Sequence, residues 1–244
     1  MLVPLAARMS AVRLAAVLFA PLVALGGCAT DEATDDVDDG TGPAPAADGA
    51  VVDPDVDIAA IIEDVNDYWV QADEALGFEF VPVPLDRITT GDDGVLCNGR
   101  EIDPDEVAGN AFVDLGCEEG LLIAYDPAYV TSSVATAEMT FAHEWGHVIQ
   151  AQAEQLDLSL DPDGLPIDGE LQADCFAGAW ATERAEADLL SLRRDVRSTG
   201  DESDVDLDDP DAHGTAGERL EAFELGFEGG PQSCVLELPA LLPG

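Results

Sequence analysis

Ala142-His143-Glu144-Trp145-Gly146-His147-Val148-Ile149-Gln150 is the stretch that decides how this chain reads. Within it, His143-Glu144-Trp145-Gly146-His147 has the spacing H-E-x-x-H. On a helix, residues four apart lie on one face, about one turn from each other. Both imidazoles can then reach one tetrahedral cation. Glu144, one residue after the first histidine, is placed to meet a metal-held water and not the metal. One helical turn thus offers two zinc ligands and a general base, and predicts a metal-dependent hydrolase. A chance match on a surface helix is the competing explanation, and a third ligand is what separates the two.

Hydrolytic zinc takes three protein ligands and keeps one position open for water. Downstream, Glu170-Leu171-Gln172-Ala173-Asp174 puts two carboxylates four apart on one face of a second helix. Glu170 has the longer reach and is assigned to the metal. Asp174 is assigned to His143 or His147, orienting the ring through its free N–H. Asp174 as the ligand is the alternative, and a solvated acidic face is a third reading. Ala173, Ala177 and Gly178 surround the pair with small residues, as close helix packing requires. His213 lies before a last helix, where the dipole disfavours imidazolium. A neutral imidazole there can donate to an oxyanion, which makes His213 a candidate catalytic group. The alternative is a capping or packing role. Arg219 can anchor a carboxylate or, the preferred reading, make a structural ion pair.

Hydrophobic residues make up 47% of 244, enough for a real core in one large domain or two small ones. Charge is unusual: 52 Asp and Glu stand against 9 Arg and no Lys, a net of −43. Such a surface repels nucleic acid and anionic headgroups. Arg8 and Arg13 precede an apolar run, Leu14 to Leu25, too short to span a bilayer comfortably. Leu25-Gly26-Gly27-Cys28 looks like a bacterial lipobox. The expectation is a signal peptide over 1–27 and a diacylated Cys28 holding the protein outside the cytoplasm. An ordinary secretory signal, giving a secreted protein, is the alternative. Residues 28–55 are Asp-, Gly-, Pro- and Ala-rich and predict an extended acidic tether. Four cysteines remain, and an even number in an exported chain suggests two disulfides. Of three possible connectivities, Cys97–Cys117 with Cys175–Cys234 is favoured because each ties a local unit. No C-x-x-C spacing supports zinc on cysteine.

The folded domain is expected over 56–238, with a short tail at 239–244. Ile58, Ile61, Ile62, Val65, Trp69, Ala72 and Leu76 keep a helical period, capped by Asp55 or Asp57 and ended by Gly77. Phe78 to Ile88, with Pro82 and Pro84, reads as an edge strand or extended segment. Ala111–Leu115 and Leu121–Tyr125 read as a strand pair, the latter an exposed edge that can add a peptide strand. Ser132 or Ser133 should cap the motif helix, which runs to about Glu154. The second helix is placed from about Gly169 to Glu186, between acidic connections at 156–168 and 198–211. Thr215-Ala216-Gly217-Glu218 is a capping box for a helix that stops at Gly229-Gly230-Pro231.

The three motifs together resemble the neutral zinc metallopeptidase family of bacteria. The resemblance is carried by Ala142 to Gln150, by Glu170-Leu171-Gln172-Ala173-Asp174-Cys175-Phe176-Ala177-Gly178-Ala179-Trp180, and by His213-Gly214-Thr215-Ala216-Gly217-Glu218-Arg219. It runs from about Asp57 to Cys234, and Trp69 and Tyr125-Asp126 also fit. It implies a mainly helical α+β, zincin-like domain with a small β-sheet. It also implies a gluzincin-like site with His143, His147 and Glu170 on zinc and Glu144 catalytic, and it supports the cysteine pairing. Val148 departs from the family, which usually has a further histidine there. The expected activity is hydrolysis of a peptide or protein, with zinc acidifying water toward ~7 and Glu144 relaying its proton to the leaving amine. Two other classes compete: a surface-binding or scaffold lipoprotein that keeps the fold without turnover, and an acidic cation-sequestering protein.

Overall fold

In the computed structural model, residues 53–114, 116–155, 166–201 and 212–236 are described. The expected signal peptide, Cys28, most of the tether and the tail lie outside these residues. Helix α1 (Ile58–Gln71) is capped by Asp57, whose carboxylate accepts from the Ala60 N–H at 3.1 Å. Ile61, Ile62, Val65 and Trp69 form its buried stripe. One continuous helix to Gly77 was the expectation, but the chain breaks at Ala72. The Ala72 N–H is shared between the Tyr68 and Trp69 carbonyls, which tightens the last turn. A short α2 (Asp73–Leu76) follows, and Gly77 ends it at φ 82°, where a side chain would be strained.

Phe78 to Val83 is extended without belonging to a sheet. Two side-chain amides replace a partner strand. Asn66 bonds both the N–H and the carbonyl of Val83, and Gln152 does the same for Val81. Three strands then form a mixed sheet: β1 (Ile88–Thr89), β4 (Ala111–Asp114) and β5 (Leu122–Tyr125). Between β1 and β4 lie a two-stranded ribbon of β2 (Leu96–Cys97) and β3 (Arg100–Glu101), and the turn α3 (Pro104–Val107). The sheet order is β1-β5-β4, with β5 parallel to β1 and antiparallel to β4. Leu122–Tyr125 is therefore central, not the exposed edge the sequence suggested. The alternation of its side chains could not reveal that Ile88–Thr89 covers its second side. The edges are β1, two residues long, and β4, four residues long.

After α4 (Pro127–Val130) comes α5 (Val134–Gln155), the motif helix, capped where Ser133 Oγ accepts from the Thr136 N–H at 3.0 Å. Helix α6 (Pro166–Trp180) starts earlier and stops sooner than expected, at a 3-10 turn over Ala181–Glu183. A separate α7 (Glu186–Ser198) follows, which the sequence reading left unassigned. Its apolar face, Leu189, Leu192 and Val196, is buried against α5 and α8 (Ala216–Gly229). The capping box at Thr215 and Glu218 is formed as read. Past Gly230 the chain turns into α9 (Pro231–Leu236), with Pro231 as its first residue.

The architecture is mainly helical α+β, with the core between α1, α5, α6 and α8. Both disulfides pair as favoured. Cys97–Cys117 closes the ribbon against the residues after β4, and Cys175–Cys234 ties α6 to α9. No helix among the described residues is long and apolar enough to cross a membrane. Helices α6 and α8 touch backbone to backbone. A Cβ at Gly178 would lie 1.9 Å from the Phe223 carbonyl oxygen, and one at Gly226 would lie 1.8 Å from that of Cys175. Gly178→Ala must push the helices apart and should lower stability by about 3 kcal/mol, read as a lower urea midpoint at unchanged slope.

Candidate metal centre

The site is assembled where α5 crosses α6. Gly146 sits at the crossing, and a Cβ there would lie 2.5 Å from the Ala173 Cα. With no side chain between them the backbones meet. That contact carries Glu170, one turn before Ala173, to the face of α5 that holds His143 and His147. Trp145 points the other way into the core and donates to Asn66 Oδ1 at 2.9 Å. The motif is thus split into one polar face and one buried anchor.

His143 Nε2 is 3.1 Å from Glu170 Oε2, and His147 Nε2 is 3.4 Å from Glu170 Oε1. One donor atom from each of the three residues lies within 4.8 Å of the others. A tetrahedral ion with bonds of about 2.1 Å spaces its ligands about 3.4 Å apart, so the cluster has the dimensions of a single-ion site. The other ring nitrogens are committed elsewhere. His143 Nδ1 is 2.9 Å from Asp174 Oδ1, and His147 Nδ1 is 2.9 Å from Gln150 Oε1. With Nδ1–H donating in each case, both Nε2 atoms face Glu170, and each offers a lone pair to an ion only once its own proton is lost.

Asp174 is fully buried and its oxygens are spent. It accepts from His143 and takes a two-bond clamp from Arg219, at 2.7 and 2.8 Å. It cannot also turn toward the cluster, so the geometry favours Glu170, the residue assigned from the sequence, over Asp174, its alternative. It also places Asp174 against His143 and not His147. Arg219 further donates to the carbonyl and the hydroxyl of Thr199, which makes it the structural ion pair of the preferred reading. His213 stands at the rim, its Nε2 3.8 Å from Glu170 Oε2. Its backbone N–H and that of Gly214 are held by Asp201 Oδ2 at 2.6 and 3.0 Å.

The electrostatics follow from burial and neighbours. Burial alone would depress the His143 imidazole, but Asp174 and Glu170 on either side outweigh it and hold it at about 10. The same contest, won by Glu170, raises His147. Burial would raise Glu170, yet the two imidazoles pull it far below the ordinary carboxylate range. In the ion-free chain the neighbouring carboxylates thus favour the protonated rings, and a cation entering between the three side chains competes with those protons. Glu144 differs. Burial pushes its carboxyl up, only partly offset by the two histidines, and its buried Oε2 has no hydrogen-bond partner. That orphaned oxygen, beside two imidazoles and a carboxylate, fits a zinc ion carrying a water. Cys97, Asp114 and Cys117 also lie within one ion's reach, but the disulfide consumes both sulfurs.

A cleft of about 200 Å³ opens on His143 and Glu144, lined also by Ala111 at the start of β4, Tyr129, Thr140, Asp195 and His213. Gln150, Tyr129 and Asp195 are absent from the sequence-derived site. Gln150 had a readable signal, since it lies three residues after His147 and so on the same helical face. Tyr129 and Asp195 had none, because they reach the cleft only through packing of α4 and α7. Compared with known proteins, the chain matches no family model, no curated protein and no solved structure.

Proposed function

We propose that this protein is a zinc-dependent peptidase of the zincin type. In this reading it acts outside the cytoplasm and is held to the membrane through a lipidated Cys28. The carrying observation is the convergence of His143, His147 and Glu170 next to the unpartnered Glu144 Oε2. When bound, zinc would polarise the substrate carbonyl and acidify a water. With zinc held by His143, His147 and Glu170, Glu144 Oε2 would take a proton from the water whose oxygen bonds to the carbonyl carbon, and would pass that proton to the amine nitrogen as the C–N bond breaks. That Oε2 is engaged by no other hydrogen bond among the described residues, which leaves it free to accept the proton. His213, at the rim, donates to the carbonyl oxygen as charge develops there. The free edge of β4 runs into the cleft at Ala111, so an extended peptide can pair with it along the backbone. Resemblance to the neutral zinc metallopeptidases supports the same assignment through its three motifs. Two disulfides suit an oxidising compartment.

Elemental analysis of the purified chain beside His147→Ala tests the centre. The expected result is close to one zinc per chain in the parent and none in the variant. A folded parent without zinc would sink the peptidase and favour a binding or scaffold role for the same fold.

A further inference from the structure

The cleft holds one charged group that the metal centre does not use. Asp195, on α7, accepts at Oδ1 from the Thr136 hydroxyl at 2.9 Å. Thr136 Oγ1 is itself 2.9 Å from Ser133 Oγ. Thr136 gives its single hydroxyl hydrogen to Asp195, so Ser133 is the donor in that second bond. This relay from the start of α5 fixes the carboxylate, while Oδ2 accepts no hydrogen bond among the described residues. Every other charge on the cleft is committed. His143, Glu144 and the rim residue His213 are assigned to the metal centre, and Arg219 is clamped on Asp174 and donates to Thr199.

We infer that Asp195 selects the substrate: the cleft takes peptides with a lysine or arginine side chain beside the scissile bond. The aliphatic stem would lie along Tyr129 and Met139, and the cationic head would meet Asp195 Oδ2. This rests on the peptidase reading above. Burial pushes the Asp195 carboxyl up, and Thr136 and Arg219 only partly offset it. A half-desolvated carboxylate beside an open cavity is destabilising until a cation completes it. Asp195 also borders a second cavity of about 480 Å³, lined by Glu138, Asp188 and Arg194, where Glu138 pairs with Arg184 at 3.8 Å. The net charge of −43 draws cationic peptides toward the surface in the same sense.

A purely structural Asp195 would only tie α7 to α5 through Thr136. Asp195→Asn separates the two roles, because its carbonyl oxygen still accepts from Thr136 while the charge is gone. The zinc-loaded full chain and this variant are given a mixed peptide library, and cleavage positions are read by mass spectrometry. Butylguanidinium is titrated into both proteins by calorimetry in parallel. The expected parent profile is enriched in Lys and Arg at one position flanking the cut. In the variant, the ratio of cleavage at Lys or Arg over norleucine should fall about tenfold or more. Butylguanidinium should bind the parent and be lost or weakened about tenfold in the variant. Loss of the Lys and Arg preference in the variant, with the weakened guanidinium binding beside it, sustains the inference. A parent that cleaves without basic preference and binds no guanidinium overturns it, as does a preference that survives in Asp195→Asn. If nothing is cleaved, the peptidase reading fails and the guanidinium titration alone decides the subsite.

Discussion

Glu144→Gln should leave one zinc per chain and lower peptide hydrolysis by about 10³- to 10⁴-fold. Gln matches Glu in size and lies on the same turn of α5, so the fold and the three donor residues are undisturbed. The difference is confined to Oε2, the buried oxygen with no partner. An amide there cannot take a proton. Metal content is the internal control. Glu144 is not among the three residues whose donor atoms converge, so its loss must not release the ion. The apoprotein of the variant should also melt no lower than the parent, because a buried carboxylate that burial disfavours has been made neutral. Full activity with zinc retained would remove Glu144 from the chemistry. Loss of zinc would instead make it a ligand, contrary to the geometry.

Asp174→Ala should have the largest effect on the molecule as a whole. It removes the ion-pair partner of Arg219, which is only 6% exposed, and leaves that buried guanidinium without a carboxylate in contact. Breaking a buried pair from one side costs about 3–5 kcal/mol, measurable by urea unfolding of the apoprotein. It also frees His143 Nδ1, so the ring loses the bond that aims Nε2 at Glu170. Zinc affinity should fall about 10- to 100-fold by competition with a chelating indicator. The two losses can be pulled apart. The double variant Asp174→Leu, Arg219→Met replaces the pair by apolar side chains and should recover much of the stability. It should not recover the zinc affinity, since His143 remains unoriented. Recovery of both would mean that Asp174 serves only the ion pair.

The candidate metal-binding face was legible because it is a local property. Residues four apart on one helix are neighbours whatever else the chain does, so His143, Glu144 and His147 could be assigned roles from spacing alone. The same holds for the capping box at Thr215 and Glu218, and for the stripe of Ile61, Val65 and Trp69. The break at Ala72 and the separate α7 were missed for different reasons. At Ala72 one shared amide ends a helix whose apolar pattern continues. On α7 the period of Leu189, Leu192 and Val196 was present but obscured by the charged residues between them.

What the sequence by itself determined is the chemistry on offer: two imidazoles and a base on one turn, two further carboxylates four apart, and cysteines enough for two bridges. Only the tertiary structure decided how these are shared out. The backbone contact of Gly146 with Ala173 delivers Glu170 to the histidines. Arg219, from a third helix, claims Asp174 and removes it from the ligand set. A two-residue strand covers one side of β5, so that β5 is central and β4 is the longer of the two edges. Asp195 reaches the cleft from a helix far along the chain. Each of these choices is a competition between partners distant in sequence, settled by which backbones can approach, and helical or strand periodicity carries no information about that distance.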